Sequence, residues 1–219
     1  VDPGSRQENA SKQQSSIMSI WLGKDLLILA SQSRARQVLL ANAGITFEAV
    51  PADIDERAVQ KESGLSAPGD IAKLLAREKA LWVSQQKPGR YVVGADQTLA
   101  LGDRLFSKPA GRAAAAEQLG LLAGKRHELH SAFAVARDGK ILFADVSVAH
   151  MTMRSLSKGE TEAYLDQAGE AVTTSVGAYQ LEGLGVHLFE RIEGDHFTIL
   201  GLPLLPLFSF LRSERLLSV

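Results

Sequence analysis

The chain reads as an α/β protein, a single domain of two lobes around a mixed, twisted sheet with a long antiparallel hairpin. Three observations predict this. Short apolar runs at 26–30 and 91–96 alternate with stretches of helical spacing, the pattern of strands interspersed with helices. Two long strand-like stretches, 128–136 and 140–153, flank Asp138-Gly139, a dipeptide suited to the type I′ turn of a hairpin. A chain of 219 residues that is 45% hydrophobic and 22% charged can bury one large core or two small lobes sharing a core. Neither an internal repeat nor an interdomain linker interrupts the pattern.

Residues 1–17 are polar and lack the apolar centre of a signal peptide. They read as a disordered leader or cloning remnant ahead of a domain spanning 18–219, with Met18 as the natural start. The run 26–30 is a buried strand, broken by Ser31-Gln32-Ser33. Ser33 suits an N-cap, Val38, Leu39 and Leu40 form the inner face of the helix that follows, and Gly44 suits its end. Charge is anomalous here. A first helical turn favours acids, because the helix N-terminus carries partial positive charge, yet this one holds Arg34 and Arg36 and no acid. Either both arginines stand in water, or an anion sits at the free N–H groups of the turn, a setting that suits phosphate.

Residues 45–54 read as a second strand that runs into Asp53-Ile54-Asp55-Glu56, and 63–69, rich in Gly, Pro and Ser, as a loop. Asp70 caps a helix to about 86 whose apolar stripe is Ile71, Leu74, Leu75 and Trp82. Lys79 falls on that stripe, so it either snorkels to the edge or meets a fixed anion. Residues 91–96 form a short strand ending in Asp96, and 99–106 a further one. Because the residue before proline is pushed into extended geometry, Lys108, followed by Pro109, projects from the end of that strand. The alanine-rich stretch 111–122 is a helix with Gly124 just beyond it. After the hairpin, 157–167 is a helix with Ser157 and Glu160 in capping-box positions. Residues 176–191 are glycine-punctuated and irregular, and Gly201-Leu202-Pro203 opens a terminal helix to about 217 with Pro206 in its first turn.

Composition excludes several classes of function. The net charge is −1 and there is no Lys/Arg block, so bulk electrostatics supports neither nucleic acid nor an anionic membrane as a partner. The absence of cysteine excludes disulfides, thiolate metal sites and a cysteine nucleophile, and fits a cytoplasmic location. No apolar run approaches the roughly 20 residues that span a bilayer. Gly23-Lys24 and Gly124-Lys125 lack the upstream glycine and following hydroxyl of a P-loop, and Gly183-Leu184-Gly185 lacks the third glycine of a dinucleotide fingerprint. His127 and His130, three apart in a strand, face opposite sides and cannot share a metal.

What remains is a set of acids, Asp53, Asp55, Glu56 and Asp96, against the cations Arg34, Arg36, Lys79 and Lys108, all near the ends of predicted elements. Two converging carboxylates suit a divalent cation such as Mg²⁺, which takes one or two protein oxygens and fills its shell with water and phosphate. The cations would hold phosphate oxygens.

Taken in order, these motifs resemble the Maf-like nucleoside triphosphate pyrophosphatases across residues 26–212. The family's opening Leu-Ala-Ser-x-Ser-Pro-Arg-Arg-x-x-Leu-Leu is matched by 29–40, its Asp-Ile-Asp-Glu by 53–56 and its Ala-x-x-Lys-Ala by 76–80. Gly-Ala-Asp is 94–96, Lys-Pro is 108–109, Leu-x-Gly-x-x-His is 122–127, Gly-Ala-Tyr is 177–179 and Gly-Leu-Pro-Leu is 201–204. The resemblance implies a Maf/ITPase-like fold and hydrolysis of a nucleoside triphosphate to its monophosphate and pyrophosphate, with Mg²⁺ or Mn²⁺, in a homodimer. It makes Asp96 the proton acceptor, Glu56 and Asp96 the metal ligands, and Ser31, Arg36, Lys79 and Lys108 the triphosphate ligands. Arg34 stands where the family usually has proline.

Base choice divides the family at three positions: 35, 97 and 182. Gln97 and Glu182 resemble the branch acting on 7-methyl-GTP. A carboxylate at Glu182 can accept from the guanine N1–H and N2–H₂ edge and favours the methylated base's positive charge. Ala35 departs from that branch, which carries an aromatic residue there for stacking. The alternatives are a dTTP/UTP-type house-cleaning pyrophosphatase and a nucleotide-binding regulator of cell division without turnover.

Overall fold

The structure, a computed structural model, describes residues 20–219, so the reading of 1–17 as a leader and of Met18 as the start lies outside the described residues. Strand β1 (Leu27–Ala30) lies parallel to both β2 (Phe47–Ala49) and β3 (Val92–Leu101), with α1 (Arg34–Asn42) crossing from β1 to β2. Two helices, α2 (Glu56–Ser63) and α3 (Pro68–Gln86), connect β2 to β3. The rest of the sheet is antiparallel: β4 (Arg104–Phe106) and β5 (Arg126–Arg137) on β3, β6 (Lys140–Met153) on β5, and β7 (Phe189–Glu193) on the end of β6. Four more helices complete the chain: α4 (Arg112–Leu122), α5 (Lys158–Ala168), α6 (His196–Ile199) and α7 (Leu204–Ser213). The seven-stranded sheet is therefore mixed, in the order β2-β1-β3-β5-β6-β7, with β4 on β3. Its β5–β6 hairpin turns at Asp138 (φ 51°) and Gly139 (φ 70°), both positive as a type I′ turn requires.

Alternation along the strands sorts side chains between faces. On one face Leu27, Leu29, Val93, Phe133 and Val135 pack with Leu39 and Leu40 of α1 and Leu204, Leu207 and Leu211 of α7. On the other, Ala132, Ala134 and Ala136 of β5 meet Ala72, Ala76 and Ala80 of α3, while Ile28 and Val92 meet Val83. Farther along the sheet, Leu99, Leu129, Met151 and Met153 enter a separate core closed by Leu119 and Leu122 of α4 and Leu165 of α5. Two lobes thus share one sheet, and Asp96-Gln97-Thr98 falls on β3 between Ala95 of the first core and Leu99 of the second.

Several expectations from sequence need correction. Asp96 is not at the end of a strand, because β3 runs on unbroken to Leu101, held by continuous pairing with β5 from Val92↔Ala136 to Ala100↔Glu128. The strand expected at 45–54 contracts to Phe47–Ala49, and Glu56–Ser63 is a helix, capped by the Asp55 carboxylate and closed by Gly64 at φ 66°. Helix α3 begins at Pro68 rather than after Asp70, since Pro68 at its first position supplies the fixed φ and Asp70 lies in the first turn. The irregular stretch ends in β7, α6 is an extra short helix, and the terminal helix stops at Ser213.

Candidate active site

Where β1 ends, the chain turns through Ser31 into α1. Ser33 caps the helix as expected, its hydroxyl accepting from the Arg36 amide at 3.5 Å. The Arg36 side chain does not run out into water. Its Nη1 donates to Ser31 Oγ at 3.1 Å and to the Ala95 carbonyl at 2.8 Å, and its Nε donates to the Gly201 carbonyl at 2.8 Å. These contacts occupy Nε and Nη1 and leave Nη2 without a hydrogen-bond partner among the described residues. Burial pulls the guanidinium below its ordinary pKa, and the charges of Asp96 and Glu56 oppose that pull. Arg34 of the same turn is exposed.

Alternation along β3 sends Val92, Gly94 and Asp96 toward α3. That helix lies close, because only small side chains separate it from the sheet and Gly94 has none. Lys79, three residues after Ala76, is carried to the Asp96 position. Its ammonium donates to Asp96 Oδ1 at 2.6 Å and stands 2.7 Å from Glu56 Oε1. Of the two readings of an apolar-stripe lysine, the anion is the one realised. The Lys79 and Asp96 side chains are each 11% exposed, against 51% for Glu56. Removing Lys79 leaves the buried Asp96 charge without its ion-pair partner, a loss of about 3–5 kcal/mol, whereas loss of Asp96 leaves Lys79 paired with Glu56. Burial raises the Asp96 pKa, Lys79 and Arg36 act to lower it, and Glu56 adds a small upward push.

Glu56 owes its place to a cap. The Asp55 carboxylate accepts from the amides of Arg57 at 3.1 Å and Ala58 at 3.0 Å, which starts α2 and turns Glu56 toward Lys79. Asp55 is thus a capping residue, and Asp53 is exposed. Among the described residues no group of three His, Cys, Asp or Glu side chains can hold a metal. The carboxylates that could take a divalent cation are Glu56 and Asp96, which converge on a single ammonium. Such a pair fits Mg²⁺ or Mn²⁺ only when water and substrate oxygens complete the shell.

The other residues singled out in the sequence form no side-chain hydrogen bond or ion pair with this cluster among the described residues. Lys108 is exposed beyond β4 and forms no ion pair among the described residues. Ala35 is half-buried in the first turn of α1, and Glu182 is exposed in the turn that follows Gln180. Gln97 points to the opposite face of the sheet from Asp96, where its Nε2 donates to Ser131 Oγ at 2.7 Å and to the carbonyls of Ile199 at 3.0 Å and Thr198 at 3.2 Å. Sequence reasoning did not find the groups that orient Arg36: the carbonyls of Ala95 and Gly201. Backbone acceptors leave no mark in side-chain patterns, although Gly201, at φ 89°, is a glycine for a reason.

A mixed α/β sheet with an acid–lysine–arginine cluster where two lobes meet defines the class of protein. Residues 26–214 match the family model described as Maf-like protein. The chain belongs to the Maf family. It is 70% identical over 202 residues to a nucleoside triphosphate pyrophosphatase of Rhodopseudomonas palustris, covering 92% of this chain and 100% of that one. It is 71% identical, with the same coverage, to a nucleoside triphosphate pyrophosphatase of Bradyrhizobium diazoefficiens. A 7-methyl-GTP pyrophosphatase of Brucella abortus is 54% identical over 192 residues, 86% of this chain and 96% of that one. Among the described residues no helix is long and apolar enough to cross a membrane.

Proposed function

We propose that this protein is a nucleoside triphosphate pyrophosphatase that hydrolyses 7-methyl-GTP to its monophosphate and pyrophosphate. The observation that carries the reading is the joint hold of Lys79 on Asp96 and Glu56, next to a half-buried Arg36 with an unspent Nη2. The names of the two relatives at 70% and 71% identity support the activity, and that of the 54% relative supports the substrate.

Hydrolysis at the α-phosphorus needs three things from the chain: cations for the polyphosphate, a base for the attacking water, and shielding from bulk solvent. Arg36 presents Nη2 to phosphate oxygens while its other nitrogens hold it still, and Ser31 and Lys108 supply the remaining phosphate contacts. Asp96 takes the proton. Burial makes it a stronger base than an exposed carboxylate, and the Lys79 ammonium beside it favours the ionised form. Lys79 also offsets the negative charge that builds on the leaving pyrophosphate. Glu56 and Asp96 would hold a divalent cation, which when bound would supply charge neutralisation at the phosphates. At the base, the exposed Glu182 carboxylate is free to accept from a guanine edge, and Ala35 leaves the stacking position open. The working unit is a homodimer, a reading that rests on the family resemblance.

A panel of nucleotides with Mg²⁺ or Mn²⁺, scored by release of pyrophosphate and monophosphate, tests the reading. The expected result is turnover with 7-methyl-GTP first, and a loss of that preference in Glu182→Gln. UTP or dTTP ranking first would transfer the protein to pyrimidine house-cleaning. Tight binding with no pyrophosphate release would make it a nucleotide-binding regulator. Sedimentation of the full chain checks the dimer.

A further inference from the structure

We infer that Ser131, with Gln97, is a positioning residue for Arg36, acting through the backbone at the end of α6. The inference rests on the reading of Arg36 as a phosphate ligand. Ser131 lies on β5 directly opposite Gln97 of β3 and is fully buried. Its hydroxyl accepts from Gln97 Nε2 at 2.7 Å and donates to the Thr198 carbonyl at 2.6 Å. Gln97 Nε2 also reaches the Ile199 carbonyl at 3.0 Å. Two strands of the sheet thereby grip the last carbonyls of a four-residue helix. So short a helix has no stability of its own. Its other anchor is the Asp195 side chain, which accepts from the amides of Phe197 and Thr198 and from the Thr198 hydroxyl.

The gripped segment ends on Arg36. The Gly201 amide donates to the same Thr198 carbonyl at 3.1 Å, and the Gly201 carbonyl accepts from Arg36 Nε at 2.8 Å. A Cβ at Gly201 would stand 3.2 Å from Arg36 Nε and 3.4 Å from its Nη2, and φ is 89° there, so any other residue is strained and presses on the guanidinium. The order is therefore Gln97 and Ser131, Thr198, Gly201, Arg36. The amide nitrogen of Gln97 is spent on this grip. It has no free hydrogen to offer a nucleobase, and the grip gives substitutions at position 97 a route to substrate handling through the placement of Arg36.

Inorganic tripolyphosphate, which has no base or sugar, separates the possibilities. With Mg²⁺ and the full chain, Ser131→Ala and Gln97→Met should each weaken its binding by about tenfold, the scale of one hydrogen bond in a charged site. Wild-type melting behaviour should be kept to within a few degrees. In an Arg36→Lys background, which cannot make the Nε contact, Ser131→Ala should add little, since both changes break one chain of contacts. The Arg36 Nε–H resonance in ¹⁵N NMR should shift or broaden in Ser131→Ala. Unchanged tripolyphosphate binding with an altered base ranking would overturn the inference, as would independent, multiplying effects of Ser131→Ala and Arg36→Lys. A wild-type chain that binds no tripolyphosphate would instead sink the phosphate-site reading itself, and the inference with it.

Discussion

Gly94 of β3 and Ala80 of α3 are in backbone contact: a Cβ placed on Gly94 would stand 2.5 Å from the Ala80 amide nitrogen and 2.9 Å from its Cβ. The carbonyl of Ala76 is closer still. The Ala80 nitrogen and the Ala76 carbonyl are helix backbone atoms, which cannot swing aside as a side chain can. Gly94→Ala must therefore lift α3 from the sheet, and overpacking of this kind costs about 1–3 kcal/mol or more. Because α3 carries Lys79, the same shift pulls its ammonium off Asp96. The expected outcome is a lowered melting temperature together with a fall in turnover, read by thermal denaturation and pyrophosphate release. A variant of wild-type stability would show that the helix does not rest on Gly94.

Asp96→Asn separates chemistry from folding. The variant keeps the shape of the side chain but cannot accept a proton, and Lys79 keeps Glu56 as a partner at 2.7 Å. Turnover should fall at least about a hundredfold, the lower end of general-base contributions. The folding transition should survive, because an amide in the Asp96 position no longer has to be desolvated as a charge. Near-normal turnover would remove Asp96 from the reaction.

The charges around Asp96 can be read one at a time. Its folded-state pKa lies above the ordinary carboxylate value. Stability credited to its neutral form is therefore complete below about pH 3.9 and lost as pH rises through the folded value. Lys79 acts to lower that pKa and Glu56 to raise it. In metal-free protein, ¹³C titration of the Asp96 carboxyl should thus move upward in Lys79→Gln and downward in Glu56→Gln. Shifts of the same sign in both variants would mean that burial alone governs the group.

Much of this was legible in the sequence, for identifiable reasons. The hairpin was, because Asp138-Gly139 admits few other conformations, and so was the α5 cap, because Ser157 and Glu160 stand at capping-box spacing and form that box. Lys79 was marked by its intrusion on an apolar stripe. Asp96 was found as a residue but misplaced at a strand end: a run of three polar residues looks like an end unless the partner strand is known. Helix α2 was missed even though Asp55 and Gly64 bracket it, since its eight residues bury none and so leave no apolar stripe. Arg36 could be read as anomalous, but its orientation by Gly201, 165 positions later, depends on tertiary contacts that no local pattern records.

His127 offers a test away from the reaction. The ring is 1% exposed, its Nε2 pairs with Tyr179 Oη at 2.8 Å, and Nδ1 is buried with no partner among the described residues. Burial pushes its pKa down to about 4. A histidine of depressed pKa stabilises the fold above its unfolded value, near 6.5, and that stabilisation is lost as pH falls through the folded value. Wild-type stability should therefore decline between pH 6.5 and about 4, by an amount that linkage puts at roughly 3 kcal/mol for this group. Ordinary carboxylates begin to take up protons at the acid end of this window, so the comparison must be internal. Replacing both partners, His127→Phe with Tyr179→Phe, removes the titration without leaving a lone buried hydroxyl. Chemical denaturation of the two proteins across the window should give curves that converge near neutral pH and separate on acidification. Parallel curves would mean that the ring reaches water when protonated and that the lobe it anchors opens more readily than its packing implies.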